Sequence, residues 1–269
     1  MIEVYIQDRS LLLHSSDTGN WSEITPLPGW SEETLEDAMS AIFEEDFDRY
    51  PSVTFGMEML YCENDPAIVP YAILLDGSPA HILRSAQTAS NKIAKVKVGH
   101  LGLDETLVIC TGLLEMGFKL RLDFNQQWSL DDALNFSYSF PPGTFEYLEE
   151  PTKEIEDFCK NTTQKVALDE TIYTHHFWHL PNVSAIILKP PQWGGVGDCL
   201  ELAQKTHMQN KQLVLSNTFK TRIGVQSLFH FAKLLRKPLA PLGLGSLTLP
   251  EDHATMEKIG VVPFESMLH

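Results

Sequence analysis

The chain has 269 residues, 43% of them hydrophobic and 21% charged, enough for a soluble globular protein with a sizeable core. Its 36 acidic against 20 basic residues leave a formal charge of −16, which repels phosphate backbones and argues against a nucleic-acid partner. No apolar run approaches the ~18 residues that span a bilayer; Glu3 and Asp8 interrupt any leader-like start and Cys62, Cys110, Cys159 and Cys199 form no CxxC pair, so no membrane partner, a cytoplasmic location and free thiols are expected.

Met1–Ile6, Ser10–His14 and Trp21–Ile24 read as short strands, the first two joined by little more than Gln7 to Ser10. Thr25-Pro26-Leu27-Pro28-Gly29 is a turn, since two prolines and a glycine do not fit a regular element. It is either a rigid connector or a segment that reaches the functional site. Ser31 as N-cap, with Glu32 and Glu33 in the first turn, opens a helix running to about Asp48, and Leu35, Ala38, Ala41 and Ile42 give it one apolar face. Strands followed by helices, without βα alternation, predict a separate α+β unit over residues 1–70.

Five apolar runs then each close on a charge: AKVKVG (Ala94 to Gly99), LRLDFN (Leu120 to Asn125), EYLEEP (Glu146 to Pro151), VALDE (Val166 to Glu170) and AIILKP (Ala185 to Pro190). The charges are Lys97, Asp123, Glu149, Asp169 and Lys189, separated by 26, 26, 20 and 20 residues. Each gap holds one strand, one helix and two short loops, the rhythm of a (β/α)8 TIM-type barrel. Tyr71–Asp76, Gln212–Asn217 and Pro241–Leu247 supply the first, seventh and eighth strands, so the barrel is expected over 71–247, with 248–269 returning toward the N-terminal unit.

Barrel chemistry sits at the strand C-terminal ends, so these charges point into one mouth. Asp123, Glu149 and Asp169 end adjacent strands, and without a nearby Cys or His they suit a hard divalent cation taking oxygen ligands, Mg²⁺ first and Mn²⁺ as the alternative. Lys97 and Lys189 stand four strands apart in a ring of eight, on opposite walls. A cation flanked by two lysines describes a site that removes a proton next to the carboxylate of a small molecule. Lys95 shares the face of Lys97, and mutual repulsion near a cation is expected to lower the lysine pKa. Arg121, two residues before Asp123, should pair with a carboxylate deeper in the barrel. Glu150 and Glu170, beside the ligands, are expected to support them from outside. Lys189 closes so apolar a strand that an anion or carboxylate should lie near it.

Ser216-Asn217-Thr218, leading into Arg222-Ile223-Gly224, offers hydroxyls and N–H groups to a carboxylate or merely caps a helix. Leu242-Gly243-Leu244-Gly245 on the eighth strand resembles a known family's final strand, in which glycines leave room for substrate beside the backbone. The histidines of Thr174-His175-His176-Phe177-Trp178-His179 fall after the fifth strand, away from the carboxylates, and Gly194-Gly195-Val196-Gly197 lacks a dinucleotide-binding spacing.

At these residues the chain resembles the enolase superfamily, whose lysine-pair branch carries Lys-x-Lys on the second barrel strand, Asp, Glu and Asp on the next three and Lys on the sixth. SEITPLPGWSEET (Ser22 to Thr34), PSVTFG (Pro51 to Gly56) and KIAKVKVG (Lys92 to Gly99) extend the likeness, which runs closest to the o-succinylbenzoate synthase family of the short bacterial type. The resemblance implies Mg²⁺ on Asp123, Glu149 and Asp169, Lys97 as base, and Lys189 stabilising negative charge from the other face. Lys95, Arg121, Asn125, Ser216, Asn217 and Gly243 become the substrate-binding or tuning set, and residues 1–70 a capping domain. The implied reaction is dehydration of 2-succinyl-6-hydroxy-2,4-cyclohexadiene-1-carboxylate to o-succinylbenzoate in menaquinone biosynthesis. The chain departs from that pattern in lacking a long loop between its first two strands, which normally helps seal the site. N-acylamino-acid racemase or dipeptide epimerase activity, or a non-catalytic barrel that has lost its lid, are the alternatives.

Overall fold

The computed structural model describes residues 1–63, 69–174, 176–235, 240–243 and 256–263. Strands β1 (Ile2–Gln7), β2 (Ser10–Ser15) and β3 (Trp21–Ile24) form an antiparallel meander, followed by helices α1 (Leu35–Phe43) and α2 (Pro51–Met59). Gln7 pairs with Ser10, so only Asp8 and Arg9 turn the hairpin, with Asp8 at φ 50°. No loop projects from it. Alternation along the strands turns Ile2, Val4, Leu11, Leu13 and Ile24 onto α1 and α2, where Ala38, Ile42, Val53 and Met57 complete the core of this unit.

Helix α1 starts later than the Ser31 expectation and stops sooner. Thr34 is the N-cap, accepting from Asp37 N while the Asp37 carboxylate accepts from Thr34 N, a reciprocal capping box. Ser31 is unavailable because its hydroxyl accepts from Leu27 N at 2.9 Å, and Glu33 is turned inward to accept from the Ser52 hydroxyl. At the other end Glu45 adopts φ 60°, so the helix does not continue to Asp48.

The barrel comprises β4 (Tyr71–Leu75), α3 (Pro79–Thr88), β5 (Ile93–Lys97), α4 (Leu103–Glu115), β6 (Lys119–Asp123), α5 (Leu130–Tyr138), β7 (Tyr147–Glu149), α6 (Ile155–Asn161) and β8 (Val166–Leu168). It continues through β9 (Val183–Leu188), α7 (Pro190–Trp193), α8 (Val196–Met208), β10 (Gln212–Leu215), α9 (Arg222–Leu234) and β11 (Leu242–Gly243). These eight strands are parallel neighbours in the order β10-β9-β8-β7-β6-β5-β4-β11. A parallel bridge between Ser216 and Gly243, with Asn217 N donating to Gly243 O at 2.9 Å, brings the two ends of the sheet together into a barrel. Two short 3-10 turns, Glu170–Thr174 and Phe177–His179, follow β8, where β4 to β7, β9 and β10 are each followed by an α-helix; His175 lies outside the described residues. Strand β12 (Glu257–Val262) leaves the barrel and pairs antiparallel with β1. The architecture is thus a (β/α)8 barrel with a small α+β unit.

Outward residues Ala94, Val96, Val98, Leu120 and Leu122 pack under the helices. The interior is filled by Tyr147, Ala167, Ala185, Ile187 and Val214. Arg121 joins them at 1% exposure, its guanidinium 5.3 Å from the Tyr147 ring, donating to Glu146 Oε2 at 2.6 Å and to the Pro241 carbonyl at 2.5 Å. It does pair with a carboxylate deeper in the barrel, as its position suggested. Of the substrate-binding or tuning set it is the member that does not line the mouth: Glu146 precedes β7, and Arg121 is hydrogen-bonded there and to Pro241.

Gly99 has a steric reason. A Cβ there would collide with the Phe124 carbonyl, so only glycine lets the chain leaving β5 pass the end of β6. No helix among the described residues is long and apolar enough to cross a membrane, and all four cysteines are free.

Candidate active site

The parallel register sets Lys97 beside Asp123 and Asp123 beside Glu149, so three adjacent strands end on three charges. Asp169 follows β8 directly and Lys189 follows β9 directly. Lys95, Lys97, Asp123, Asn125, Asp169, Lys189, Ser216, Asn217 and Gly243 all line one cavity of about 250 Å³ at the mouth. That volume is near the lower end for small-molecule sites, which run from about 300 Å³ upward. Between β5 and β9 stand three strands on either side of the ring, so Lys97 and Lys189 occupy opposite walls.

The carboxylates are deeply buried: Asp123 and Asp169 are 2% exposed and Glu149 is 0% exposed. Lys95 Nζ lies 2.8 Å from Asp123 Oδ2 and 2.7 Å from Glu149 Oε1. Lys189 Nζ lies 2.5 Å from Asp169 Oδ2 and 4.8 Å from the Trp30 ring centroid, which supplies the carboxylate its apolar setting demanded. Lys97 has no ion-pair partner among the described residues.

The expected lowering of the lysine pKa is reversed at Lys95. Burial pulls its ammonium down, but Glu149, Asp123 and Asp169 outweigh that and hold its pKa well above the ordinary lysine value. The sequence argument weighed lysine against lysine beside a cation; in the folded chain the carboxylates are the nearer charges. Glu149 is pushed up to about 8, chiefly by burial against the opposing attraction of Lys95, with Asp123 and Asp169 adding repulsion. Glu170 rises to about 7 through burial and then the charges of Asp169 and Glu150.

Glu150 is a buried brace at φ 42°, accepting from Asp169 N at 2.9 Å, Thr171 N at 2.8 Å, Thr171 Oγ1 at 2.9 Å and Gln126 Nε2 at 2.8 Å. It thus sets where Asp169 begins to leave its strand. Asn125, at φ 46°, donates its backbone N–H to Asp123 Oδ1 at 3.1 Å.

Whether the acids fit a divalent cation is tested by their unpaired atoms. Glu149 Oε2, Asp169 Oδ1 and Glu170 Oε2 are buried without a hydrogen-bond partner in the structure, a costly condition for carboxylate oxygens. The described residues do not present a ready-made group of three metal ligands, because Lys95 stands between Asp123 and Glu149 and Lys189 holds Asp169. An all-oxygen donor set with orphaned acceptors, held apart by two ammonium groups, fits by its chemistry a hard divalent ion that shares or replaces those ammonium contacts.

The same cavity is lined by residues that strand-end reasoning does not reach: Leu27, Trp30, Ala72, Leu74 and Glu170. Leu27 and Trp30 settle the choice left open for the proline-rich turn, which reaches the mouth. The sequence signal was SEITPLPGW itself, whose turn chemistry left its destination open. Glu170 was expected only as outer support, because strand alternation turns it away; the chain is already in a 3-10 turn there and brings it round. Gly243 leaves modest space, since a Cβ would meet Ser216 Oγ at an ordinary 3.6 Å. The turn after β10 does bind a carboxylate, but an internal one: Lys220 N and Thr221 N donate to Glu23 at 2.8 and 3.0 Å. None of the described histidines lines the mouth.

Residues 80–245 match the family described as enolase C-terminal domain-like. The chain is 33% identical to o-succinylbenzoate synthase of Pectobacterium atrosepticum, over 88% of this chain and 81% of that protein. It belongs to the enolase superfamily. This superfamily member is also 32% identical to o-succinylbenzoate synthase of Yersinia enterocolitica, again over 88% and 81% of the two chains. Its barrel and cap superpose on o-succinylbenzoate synthase from Thermosynechococcus elongatus, solved with Mg in its active site, at TM-score 0.70 and 20% identity over 91% and 90% of the two chains. The L-Ala-D/L-Glu epimerase of Bacillus subtilis gives TM-score 0.75 at 14% identity over 90% and 83%, a likeness of fold alone. The chain is an enolase-superfamily enzyme of the o-succinylbenzoate synthase kind.

Proposed function

We propose that the chain dehydrates 2-succinyl-6-hydroxy-2,4-cyclohexadiene-1-carboxylate to o-succinylbenzoate, a step of menaquinone biosynthesis. The observation that carries this reading is the pair Lys97 and Lys189 facing one cavity from opposite walls, with Asp123 and Asp169 lining it and Glu149 buried at the end of the strand between. Similarity to o-succinylbenzoate synthases along most of their length supports the substrate.

Asp123, Glu149 and Asp169 would hold Mg²⁺, which when bound draws electron density from the substrate carboxylate and acidifies the adjacent C–H. Lys97, without an ion pair among the described residues, takes that proton. Lys189 faces the developing negative charge electrostatically, with the Trp30 ring shielding its ammonium from water on the cap side. Lys97, now protonated, returns its proton to the departing hydroxyl on the same face. Lys95 keeps the acids in place when no cation is present and supplies positive charge beside the substrate carboxylate.

The purified protein should convert the cyclohexadiene substrate in Mg²⁺, and Lys97→Ala should abolish turnover while Mg²⁺ binding persists. Appreciable turnover by that variant would remove Lys97 from its role. Exchange of the α-proton of N-acylamino acids in deuterated water, without activity on the cyclohexadiene, would replace dehydration by racemisation.

A further inference from the structure

Glu23 is a buried carboxylate that this chemistry leaves unused. It lies on β3, 0% exposed, and three separate parts of the chain bind it. Ser10 Oγ donates at 2.7 Å and the Thr25 hydroxyl also donates. From the far end of the chain, Lys220 N, Thr221 N and Thr221 Oγ1 donate at 2.8, 3.0 and 2.6 Å.

Two of these parts lead to walls of the mouth. Thr25 precedes Leu27 by two residues, and Lys220 follows Asn217 by three; Leu27 and Asn217 both line the cavity. Asn217 is locked to the same segment, its Oδ1 accepting from Phe219 N at 3.1 Å. Ser10 closes the two-residue turn of the β1–β2 hairpin. The seat is built for this group: a Cβ on Gly224 would collide with Glu23 Oε2 and with the Phe219 side chain. Five donors and the positive end of the 13-residue α9 suit a side chain that accepts at both oxygens, a carboxylate rather than an amide.

We infer that Glu23 is a positioning residue for the active site, tying the Leu27–Trp30 turn and the Ser216–Asn217 loop into one fixed wall over the mouth. The cap, with its short hairpin, is pinned to the barrel by a buried carboxylate. The inference rests on the proposed reading only in that this mouth receives the substrate.

Glu23→Gln turns an amide NH₂ toward a backbone N–H whichever way it is oriented, since Lys220 N faces one oxygen and Thr221 N the other, and Thr25→Val removes one of the two cap-side ties, leaving that of Ser10. Amide hydrogen exchange in residues 24–31 should rise about tenfold in both variants. In Glu23→Gln it should rise in 217–224 as well, while 93–97 and 119–123 stay unchanged. In steady-state assays KM should increase about tenfold with kcat held within about threefold, since the strand bearing Lys97 does not move. A merely structural role would lower the melting temperature with KM unaltered and exchange raised evenly, and that result overturns the inference. If Glu23→Gln does not fold, Thr25→Val decides by itself: unchanged exchange in 24–31 together with unchanged KM refutes it. Should the wild-type protein fail to use the cyclohexadiene substrate, the functional reading fails while the exchange measurements still judge the positioning role.

Discussion

Lys95→Met isolates the electrostatic core of the site. In the folded chain the Lys95 ammonium compensates Asp123 and Glu149, both at or below 2% exposure, at 2.8 and 2.7 Å. Removing one partner of a buried ion pair costs about 3–5 kcal/mol. Glu149, already raised to about 8, escapes part of that penalty by taking up a proton, which places the loss near the lower figure. At roughly 2–4 °C per kcal/mol, a loss of about 3 kcal/mol lowers the melting temperature by about 6–12 °C in chelator. A divalent ion at a hundredfold excess over its dissociation constant returns about 2.7 kcal/mol, close to the whole deficit. In the wild-type chain the same ion must compete with Lys95 for the Asp123 and Glu149 oxygens, so its stabilisation should be smaller. Scanning calorimetry of both proteins in EDTA and across a Mg²⁺ series measures all four quantities. Equal melting temperatures in EDTA, or a Mg²⁺ gain in the wild type matching that of the variant, would refute the idea that ammonium and metal share one place.

Lys97→Ala should lower kcat by at least 10²–10⁴-fold, the usual worth of a positioned base, with Mg²⁺ binding by calorimetry unchanged. Arg121→Met strips two short charged hydrogen bonds from the barrel floor and should cost about 3 kcal/mol by denaturant titration, with residual kcat and KM near wild type in whatever fraction stays folded. Glu58→Gln weakens the contact by which the cap helix α2 accepts from Val196 N at the start of α8, and should lower stability by about 1 kcal/mol. Glu170 is raised from 4.5 to about 7, so the folded chain binds more protons than the unfolded chain between those values and stability falls as pH rises through that window. The full shift corresponds to about 3 kcal/mol, reduced to about 1 by solvent in the half-open cleft. In EDTA, Glu170→Gln should flatten the melting temperature between pH 5 and pH 7.5 by that share; an unaltered slope would show that the group is not held neutral.

Much of the barrel was legible because its signals are local. A strand alternates its faces every two residues, and a βα unit has a minimum length, so charges spaced by 26, 26, 20 and 20 residues must return to the same end of neighbouring strands. That is enough to bring Lys97, Asp123, Asp169 and Lys189 to one mouth. It is not enough to say what each charge touches there. The start of α1 shows the limit on a small scale: Ser31 has the chemistry of an N-cap, but Leu27 N already occupies its hydroxyl, so Thr34 caps instead.

Sequence alone determined the order of the strands, the charge at each strand end and the shortness of the first hairpin, because these depend on residues close together in the chain. Tertiary structure decided that Lys95 stands between two carboxylates and is raised rather than lowered, that Arg121 points to the floor, and that the proline-rich turn reaches the mouth. It also joined Glu23 to Lys220 and Thr221, 197 and 198 residues away. Those outcomes depend on closing the barrel and seating the cap, which bring remote groups within hydrogen-bond distance, and the strength of a charge interaction follows that distance and the burial around it.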